Sequence, residues 1–271
     1  MNNSAIGVFD SGVGGLTCVK ELIKLMPNEN VVYLGDTARV PYGTRSKEKI
    51  AEYGRQDIKF LEQHNVKIVL VACGTVSSVL MTTPLFDGTT ITDFSGVLEP
   101  AVQAACAVTN NDKIGVIGTP ATIKSGAYGK AIRKIRPEAH VIGQACPMFV
   151  PLVENGYTQR DCQVTKLIAE EYLAIMKEKE VDTLIMGCTH YPMLKEIIGD
   201  IMGDNVKLIS PGEEAAKFAK NVLTMNGCLT DNKEKGHLEL YCTDSVELFS
   251  ENVKSFLGEN INGEINKCSL F

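Results

Sequence analysis

Two cysteines stand at equivalent places in two similar segments of the chain. In residues 67–75 and 182–190, an apolar run ends at a small residue and the next residue is a cysteine. These cysteines are Cys73 and Cys188. Each pattern predicts a buried strand whose carboxyl end presents a thiol where the next helix begins.

A second pair of similar segments indicates an internal repeat. Residues 6–8 and 114–116 share the sequence Ile-Gly-Val, and they are separated by nearly the same length of chain as the two cysteines. The repeat predicts a first domain of residues 1–97 together with 210–271, and a second domain of residues 98–209. Two similar halves that each supply one thiol to a shared cleft suit a reaction that attacks one atom from opposite faces, such as racemisation.

Short apolar segments alternate with longer amphipathic ones, which is typical of parallel α/β architecture. The predicted fold class is therefore α/β, with two pseudo-symmetric parallel-sheet domains and ligand sites at the carboxyl ends of the strands. Strands are predicted at 5–9, 30–35, 66–72, 89–94, 112–118, 139–143, 181–187, 206–209 and 237–242. Helices are predicted, among others, at 46–64, 161–179, 211–226 and 244–258.

Composition and charge narrow the class of protein. The chain has 271 residues, of which 44% are hydrophobic and 22% charged, as in ordinary globular enzymes. Its net charge is −6 and the sequence shows no basic cluster, so nucleic acid is not an expected partner. No apolar run reaches the ~18 residues of a membrane span. Nine cysteines without disulfide-like spacing, and an N-terminus without a secretory pattern, predict reduced thiols in the cytoplasm.

Residues 10–16, Asp-Ser-Gly-Val-Gly-Gly-Leu, predict a strand end, a glycine-rich turn and the start of a helix. The backbone N–H groups of such a turn can bind a phosphate. The spacing, however, matches neither phosphate-binding glycine motif, no lysine stands at the helix start, and Asp10 would repel an anion. The simpler alternative is a tight turn in which Asp10 or Ser11 caps the helix.

Cys73 admits two interpretations. A free cysteine in an apolar segment is most often a buried structural residue. A thiol at a strand end ahead of a helix would instead be reactive, with a pKa below the ~8.5 of a free thiol.

The stretch from Cys188 to His190 is the most informative. A histidine two residues from a strand-end cysteine can poise the thiol for proton transfer. Zinc is the competing interpretation, because Cys and His are its usual ligands. A zinc site needs three or four ligands, yet the chain has no C-x-x-C pair, and His64, His140 and His237 stand in surface or structural contexts. We therefore predict no metal.

Three other segments offer groups to the same cleft. They are residues 41–43, Thr119 with Thr122, and Glu154. The first, Pro-Tyr-Gly, is a turn sequence that can hold its backbone and an aromatic wall against a ligand. Each also has an ordinary interpretation, as a connecting loop, a helix start or a solvated acid.

Taken together, these motifs resemble the bacterial glutamate racemases of the cofactor-independent aspartate/glutamate racemase superfamily. The match runs in order over nearly the whole chain, and the pair of cysteine motifs is specific to that superfamily. The matching segments are Asp10-Ser11-Gly12, Pro41-Tyr42-Gly43, Cys73 with Thr75, residues 151–154 and residues 187–192.

The resemblance implies that Cys73 and Cys188 are the two catalytic acid/base residues, in a cleft between the two domains. It implies that Asp10 assists Cys73, that His190 assists Cys188, and that Glu154 is a further auxiliary acid. The substrate-binding positions that the resemblance implies are Asp10, Ser11, Tyr42, Gly43, Gly74, Thr75, Thr189 and His190, and Thr119 and Thr122 add hydroxyls.

The resemblance also implies a biological role. Such enzymes supply D-glutamate for peptidoglycan and commonly form homodimers. Pyridoxal phosphate would ease the same proton removal, but two thiols do not require it and no lysine motif supports it, so we predict no cofactor.

Gly74 departs from the family pattern, which usually has Asn directly after the first cysteine. The missing amide would remove one contact to substrate. Two alternatives therefore stay open: racemisation of aspartate or another amino acid, and a non-catalytic small-molecule binding protein. If the amide served binding, Gly74→Asn would lower KM for glutamate; if other residues fill its space, the variant would lose activity.

Overall fold

The structure is a computed structural model that describes residues 2–259 and 263–270. Each strand is short, and at least one helix separates every strand from the next among the residues described. In chain order, the strands are β1 (Ile6–Asp10), β2 (Val31–Gly35), β3 (Ile68–Val71), β4 (Phe94–Gly96), β5 (Lys113–Gly118), β6 (His140–Ala145), β7 (Thr183–Met186), β8 (Lys207–Ile209), β9 (Leu238–Cys242) and β10 (Glu264–Lys267).

Helices connect the strands and cover the sheets. No helix in the part of the chain that the structure describes is long and apolar enough to cross a membrane. In chain order, the helices are α1 (Leu16–Leu25), α2 (Lys47–Gln63), α3 (Gly74–Leu80), α4 (Leu98–Val108), α5 (Pro120–Ser125), α6 (Ala127–Ile135), α7 (Phe149–Glu154), α8 (Gln163–Glu178), α9 (Lys195–Met202), α10 (Pro211–Met225) and α11 (Val246–Leu257).

The strands form two sheets in which every pairing is parallel. The first sheet has the order β10-β9-β2-β1-β3-β4, and the second has the order β6-β5-β7-β8. The run β2-β1-β3-β4 therefore has the same topology as β6-β5-β7-β8, which is the structural form of the sequence repeat. The predicted fold class, two parallel-sheet α/β domains, is confirmed.

The end of the chain returns to the first sheet, because β9 pairs with β2 and β10 pairs with β9. The exact domain limits, 1–97 with 210–271 and 98–209, stay a prediction.

The strands that lead to the two cysteines are buried along their whole length. Every residue of β3 and of β7 is buried, because helices cover both faces of a parallel sheet. This burial explains why both segments read as continuous apolar runs and not as alternating ones. After β3, Cys73 directly precedes the first residue of α3; after β7, Cys188 precedes a short 3-10 turn that leads into α9.

The first sheet has two strands that differ markedly from the sequence prediction, β4 and β10. A strand was expected at 89–94, but β4 begins only at Phe94. The preceding residues form turns, since Gly88 has a φ of 78° and the Thr90 N–H bonds the Glu62 carboxylate. The sequence also missed β10, a half-exposed strand at the sheet edge in which charged and apolar residues are mixed.

Candidate active site

A cavity of about 460 Å³ lies where the carboxyl ends of both sheets meet. Loops that follow β1, β2, β3, β5, β6 and β7 line it, so both halves contribute to one site. The structure brings together every site residue predicted from the sequence: Asp10, Ser11, Tyr42, Gly43, Cys73, Gly74, Thr75, Thr119, Thr122, Glu154, Cys188, Thr189 and His190.

On the first-sheet side, Cys73 lies beside a hydroxyl and a carboxylate. Its thiol donates toward Ser11 Oγ at 3.6 Å. The Asp10 side chain is 2% exposed and accepts a hydrogen bond from the Gly15 N–H at 2.8 Å. Asp10 therefore fixes the glycine-rich turn, but neither Asp10 nor Ser11 caps α1, whose N-cap residue is Gly15 and lacks a side-chain cap bond. The Asp10 carboxylate also lies near the Cys73 thiol.

The expectation of a lowered pKa at Cys73 is wrong. Burial raises the pKa of the Cys73 thiol to about 12, and the nearby charge of Asp10 adds to the increase. Backbone and Ser11 hydrogen bonds act in the opposite direction but do not offset burial. Removal from water disfavours the thiolate more strongly here than a position at the start of a helix favours it.

On the second-sheet side, His190 joins Cys188 to Glu154. His190 Nδ1 lies 3.8 Å from Cys188 Sγ, and His190 Nε2 lies 3.0 Å from Glu154 Oε1. Burial would lower the pKa of His190, but its bonds with Cys188 and Glu154 outweigh burial and raise the pKa to about 10. His190 is therefore an imidazolium at neutral pH. Glu154 is its carboxylate partner, and the ordinary interpretation of Glu154 as a solvated acid does not describe it.

Two glycines let the halves approach each other at the cavity. A Cβ on Gly74 would lie 2.8 Å from the Gly187 carbonyl oxygen, and a Cβ on Gly14 would lie 2.5 Å from His190 Nδ1. The glycine-rich turn after β1 thus serves close packing against the loop that carries His190. The Thr17 hydroxyl strengthens this contact by donating to the Thr189 carbonyl at 2.9 Å.

Tyr42 lines the cavity, but its hydroxyl points away into a buried carboxylate pair. The hydroxyl donates to Asp36 and, at 3.1 Å, to Asp57. Arg39 bonds the same two carboxylates. Burial, with the charge of Asp36, holds the pKa of the wholly buried Asp57 well above its ordinary value. This network anchors the loop that carries Gly43.

The second half contributes threonines at the start of α5. Thr119 Oγ1 accepts a hydrogen bond from the Thr122 N–H at 3.3 Å, and the two hydroxyls lie 3.0 Å apart. Thr119 is thus the helix cap, and both hydroxyls also face the cavity.

Sequence reasoning missed a third cavity thiol, Cys146, together with its neighbours Pro147 and Val150. The predicted strand at 139–143 ended too early; β6 continues to Ala145, so Cys146 is also a strand-end cysteine. Its burial raises the pKa of the thiol. No group of three or more His, Cys, Asp or Glu within residues 2–259 and 263–270 is arranged to hold a metal ion.

Comparisons with known proteins agree with this geometry. The family model for Asp/Glu/Hydantoin racemase matches residues 6–219. A glutamate racemase from Geobacter metallireducens is 44% identical over 266 residues, which are 98% of this chain and 97% of that protein.

Solved structures give the same result. A glutamate racemase isoform from Bacillus anthracis has a TM-score of 0.92 at 36% identity, covering 100% of this chain and 99% of that one. A glutamate racemase from Francisella tularensis in complex with D-glutamate has a TM-score of 0.88 at 36% identity, with the same coverage of both chains. The two-thiol cavity, the duplicated parallel sheets and these full-length similarities place the chain in the Asp/Glu/Hydantoin racemase family.

Proposed function

We propose that this protein interconverts L- and D-glutamate by removing a proton from Cα on one face and returning one on the other. The observation that carries the proposal is that two thiols, at the carboxyl ends of β3 and β7, face one shared cavity. Named relatives with about 40% identity over nearly the whole chain are glutamate racemases, which favours glutamate over aspartate as the substrate.

The reaction needs one thiolate and one thiol. The thiolate takes the α-proton and becomes a thiol, and the electron pair left on Cα takes a proton from the opposite thiol, which becomes the thiolate. Either cysteine can begin, so the reverse reaction uses the same two groups with their roles exchanged. Water must be excluded, because solvent would weaken the thiolate as a base and protonate the carbanion at random.

Cys73 and Cys188 are the proposed acid/base residues. Asp10 stands beside Cys73, where its carboxylate can assist proton transfer, and the His190 imidazolium does the same for Cys188. Glu154 holds His190 in its charged form through the 3.0 Å contact. An imidazolium next to a thiol favours the thiolate.

Substrate is held by groups around the thiols. Backbone N–H groups at the starts of α3 and of the turn after Cys188 can stabilise charge that builds on the α-carboxylate. The residues proposed to hold substrate are Ser11, Tyr42, Gly43, Gly74, Thr75 and Thr189, with Thr119 and Thr122 adding hydroxyls. Tyr42 contributes its ring and backbone, since its hydroxyl is bound by Asp36 and Asp57.

The proposal includes a cellular role. The product D-glutamate would enter peptidoglycan synthesis, in the cytoplasm, and the protein would act as a homodimer without a cofactor and without nucleic-acid or membrane partners. These statements rest on the resemblance to glutamate racemases.

Deuterium exchange tests the proposed activity. Wild-type protein in heavy water should introduce deuterium at Cα of pure L- or D-glutamate and convert each into the other. A panel with aspartate and other acidic amino acids separates substrates by rate. A faster reaction with aspartate would identify a different racemase, and no incorporation from any amino acid would identify a binding protein without catalysis.

A further inference from the structure

A buried carboxylate pair lies behind the wall of the catalytic cavity. Asp36 directly follows β2 and Asp57 lies in the middle of α2, and both side chains are 0% exposed. The Tyr42 hydroxyl lies within hydrogen-bond distance of both, and its contact with Asp57 Oδ2 is 3.1 Å long. Two carboxylates buried in one cluster repel each other unless a proton or a cation compensates for each charge.

The hydrogen-bond donors around the pair are divided unequally. Asp36 accepts hydrogen bonds from three side chains: Arg39 through Nε, Thr243 at 2.9 Å, and Tyr42. Asp57 has one guanidinium contact, at 3.3 Å from Arg39 Nη2. Among the residues that the structure describes, Arg39 is the one cation within 4.0 Å of either carboxylate. These surroundings suit Asp36 as the anion and Asp57 as the neutral partner.

The contact between Tyr42 and Asp57 also indicates a proton on Asp57. A tyrosine hydroxyl carries one proton, so when Tyr42 gives that proton fully to Asp36, a bond to Asp57 needs a second proton. A neutral Asp57 supplies it, because its carboxylic O–H can donate to the Tyr42 oxygen. Burial and the charge of Asp36 raise the pKa of Asp57 well above its ordinary value, which favours this form.

Two further titratable groups lie near Asp57. They are Asp10, at the end of β1, and Cys268, directly after β10. The Asp10 carboxylate opposes a charge on Asp57, and a Cys268 thiolate would do the same, whereas Arg39 favours that charge. Arg39 is also the guanidinium that Asp36 binds more closely, so its charge is already matched there.

The same network sets the position of a loop at the catalytic cavity. Residues 40–44 all line the cavity. This loop approaches the second half of the molecule, since a Cβ on Gly43 would lie 3.6 Å from Thr119 Oγ1. The buried Tyr42 side chain attaches the loop to α2 through Asp57 and to the end of β2 through Asp36. A shift of Tyr42 would therefore alter the cavity at Gly43, whereas the two thiols follow other strands.

We propose that Asp57 is a positioning residue that works as a neutral carboxylic acid: it donates a hydrogen bond to Tyr42 and thereby holds residues 40–44 in the position that binds substrate. Asp57 does not line the cavity, so it acts through Tyr42. The neutral state stands on the carboxylate network alone, whereas the effect on substrate binding rests on the proposed racemase activity.

Infrared difference spectroscopy at neutral pH tests the proton on Asp57. The spectrum of wild type minus that of Asp57→Asn should contain the carbonyl band of a carboxylic acid, which a carboxylate lacks. The control is Glu52→Gln, at an exposed acid of the same helix that pairs with Lys49, and its difference spectrum should show carboxylate bands instead. Carboxylate bands without a carboxylic-acid band in the Asp57→Asn difference would overturn the neutral state.

Steady-state kinetics test the positioning role. Asp57→Asn keeps a neutral donor of the same shape and should keep KM for glutamate within about twofold of wild type. Asp57→Ala and Tyr42→Phe lose the bond and should each raise KM by about tenfold, with a smaller change in kcat. A merely structural role would lower kcat through the amount of folded enzyme and leave KM unchanged, so KM separates the two roles.

Two kinetic results would overturn the proposal. An equal rise of KM in Asp57→Asn and Asp57→Ala would show that the loop needs the charge of Asp57 and not its proton. A wild-type KM in Tyr42→Phe, which keeps the ring and also serves if Asp57→Ala does not fold, would show that the bond does not position the loop. If the wild-type protein does not racemise glutamate, the proposed function fails; the infrared spectrum still decides the state of Asp57, and calorimetric titration with glutamate compares binding across the same variants.

Discussion

The two proposed catalytic thiols, Cys73 and Cys188, have neighbours of opposite charge. Cys73 lies beside Asp10, and burial together with this carboxylate raises the pKa of its thiol to about 12. Cys188 lies 3.8 Å from His190, whose pKa is about 10. A thiolate that is harder to form is a stronger base, which suits the very weakly acidic α-proton of an amino acid. Burial raises the pKa of the Cys73 thiol, contrary to the sequence expectation. It therefore makes the Cys73 thiolate a stronger base once that thiolate has formed.

The pH profile of kcat/KM should report His190. One thiolate and one thiol must coexist, so we expect activity to rise and then fall with pH, as a property of the coupled pair. Because His190 is protonated below a pKa of about 10, loss of its proton should produce the falling limb near that pH.

Glu154→Gln provides the matched test of this limb. The amide keeps the shape but removes the charge that favours the imidazolium, so the limb should move to lower pH by about one unit. The measurement is kcat/KM from pH 6 to 11, roughly the range in which histidine and cysteine side chains titrate. A profile without a falling limb, or the same limb in both proteins, would contradict the role of His190.

Tyr128 offers a test of the packing behind the cavity. Its hydroxyl is buried and has no hydrogen-bond partner among the residues described. Tyr128→Phe should therefore raise the free energy of unfolding by about 1 kcal/mol, since an unsatisfied polar group is removed. In Tyr191→Phe, by contrast, a bond of 2.8 Å to the Cys146 carbonyl is lost, and stability should fall by a similar amount. Urea denaturation measures both, and the reverse order of stability would refute this account.

Among the elements, the central strands could be predicted because each is a continuous apolar run covered on both faces. Because the carboxyl ends of β3 and β7 could be predicted, the positions of Cys73 and Cys188 at those ends could be predicted as well. Where pairing depends on distant residues, prediction failed: β4 begins later than expected and β10 is a half-exposed edge. The local sequence carries little information about partners that lie far along the chain.

The same limit applies within the site. The sequence identified the residues that line the cavity, but not the burial that raises the pKa of Cys73 or the partners of the Tyr42 hydroxyl. Asp57 comes from the middle of α2, and nothing in its local pattern indicates a buried carboxylate. Such contacts depend on tertiary packing.

At the start of α3, Gly74 should not tolerate a side chain. A Cβ there would lie 2.8 Å from the Gly187 carbonyl oxygen, which belongs to the backbone and cannot rotate away. Gly74→Ala and Gly74→Asn should both separate the cysteine-bearing loops and lower kcat/KM by about tenfold or more. The structure thus favours a loss of activity in Gly74→Asn over the lower KM for glutamate that was the other expectation from the sequence.

The control for this prediction is Gly199→Ala in α9, where a Cβ would have its nearest neighbour at 3.7 Å, an ordinary contact. This variant should keep wild-type kinetics. Steady-state measurements on D- and L-glutamate and on aspartate provide the comparison. A lower KM for glutamate in Gly74→Asn, with kcat maintained, would show that the loops can move apart without cost.

For the molecule as a whole, the fold creates features that no single segment has. The cavity needs strand ends from both sheets, which come from separate parts of the sequence.

The central claim is that the two thiols act on opposite faces of one substrate. The most direct measurement is the exchange of the α-proton with heavy water by Cys73→Ala and Cys188→Ala, supplied separately with pure L- and pure D-glutamate. Each variant should lose racemisation, since one proton donor is missing, and each should still exchange the proton of one enantiomer, the opposite one in the two variants. Cys106→Ala, a buried cysteine outside the cavity, should racemise like wild type. Wild-type racemisation by either cavity variant, or exchange of the same enantiomer by both, would contradict the account.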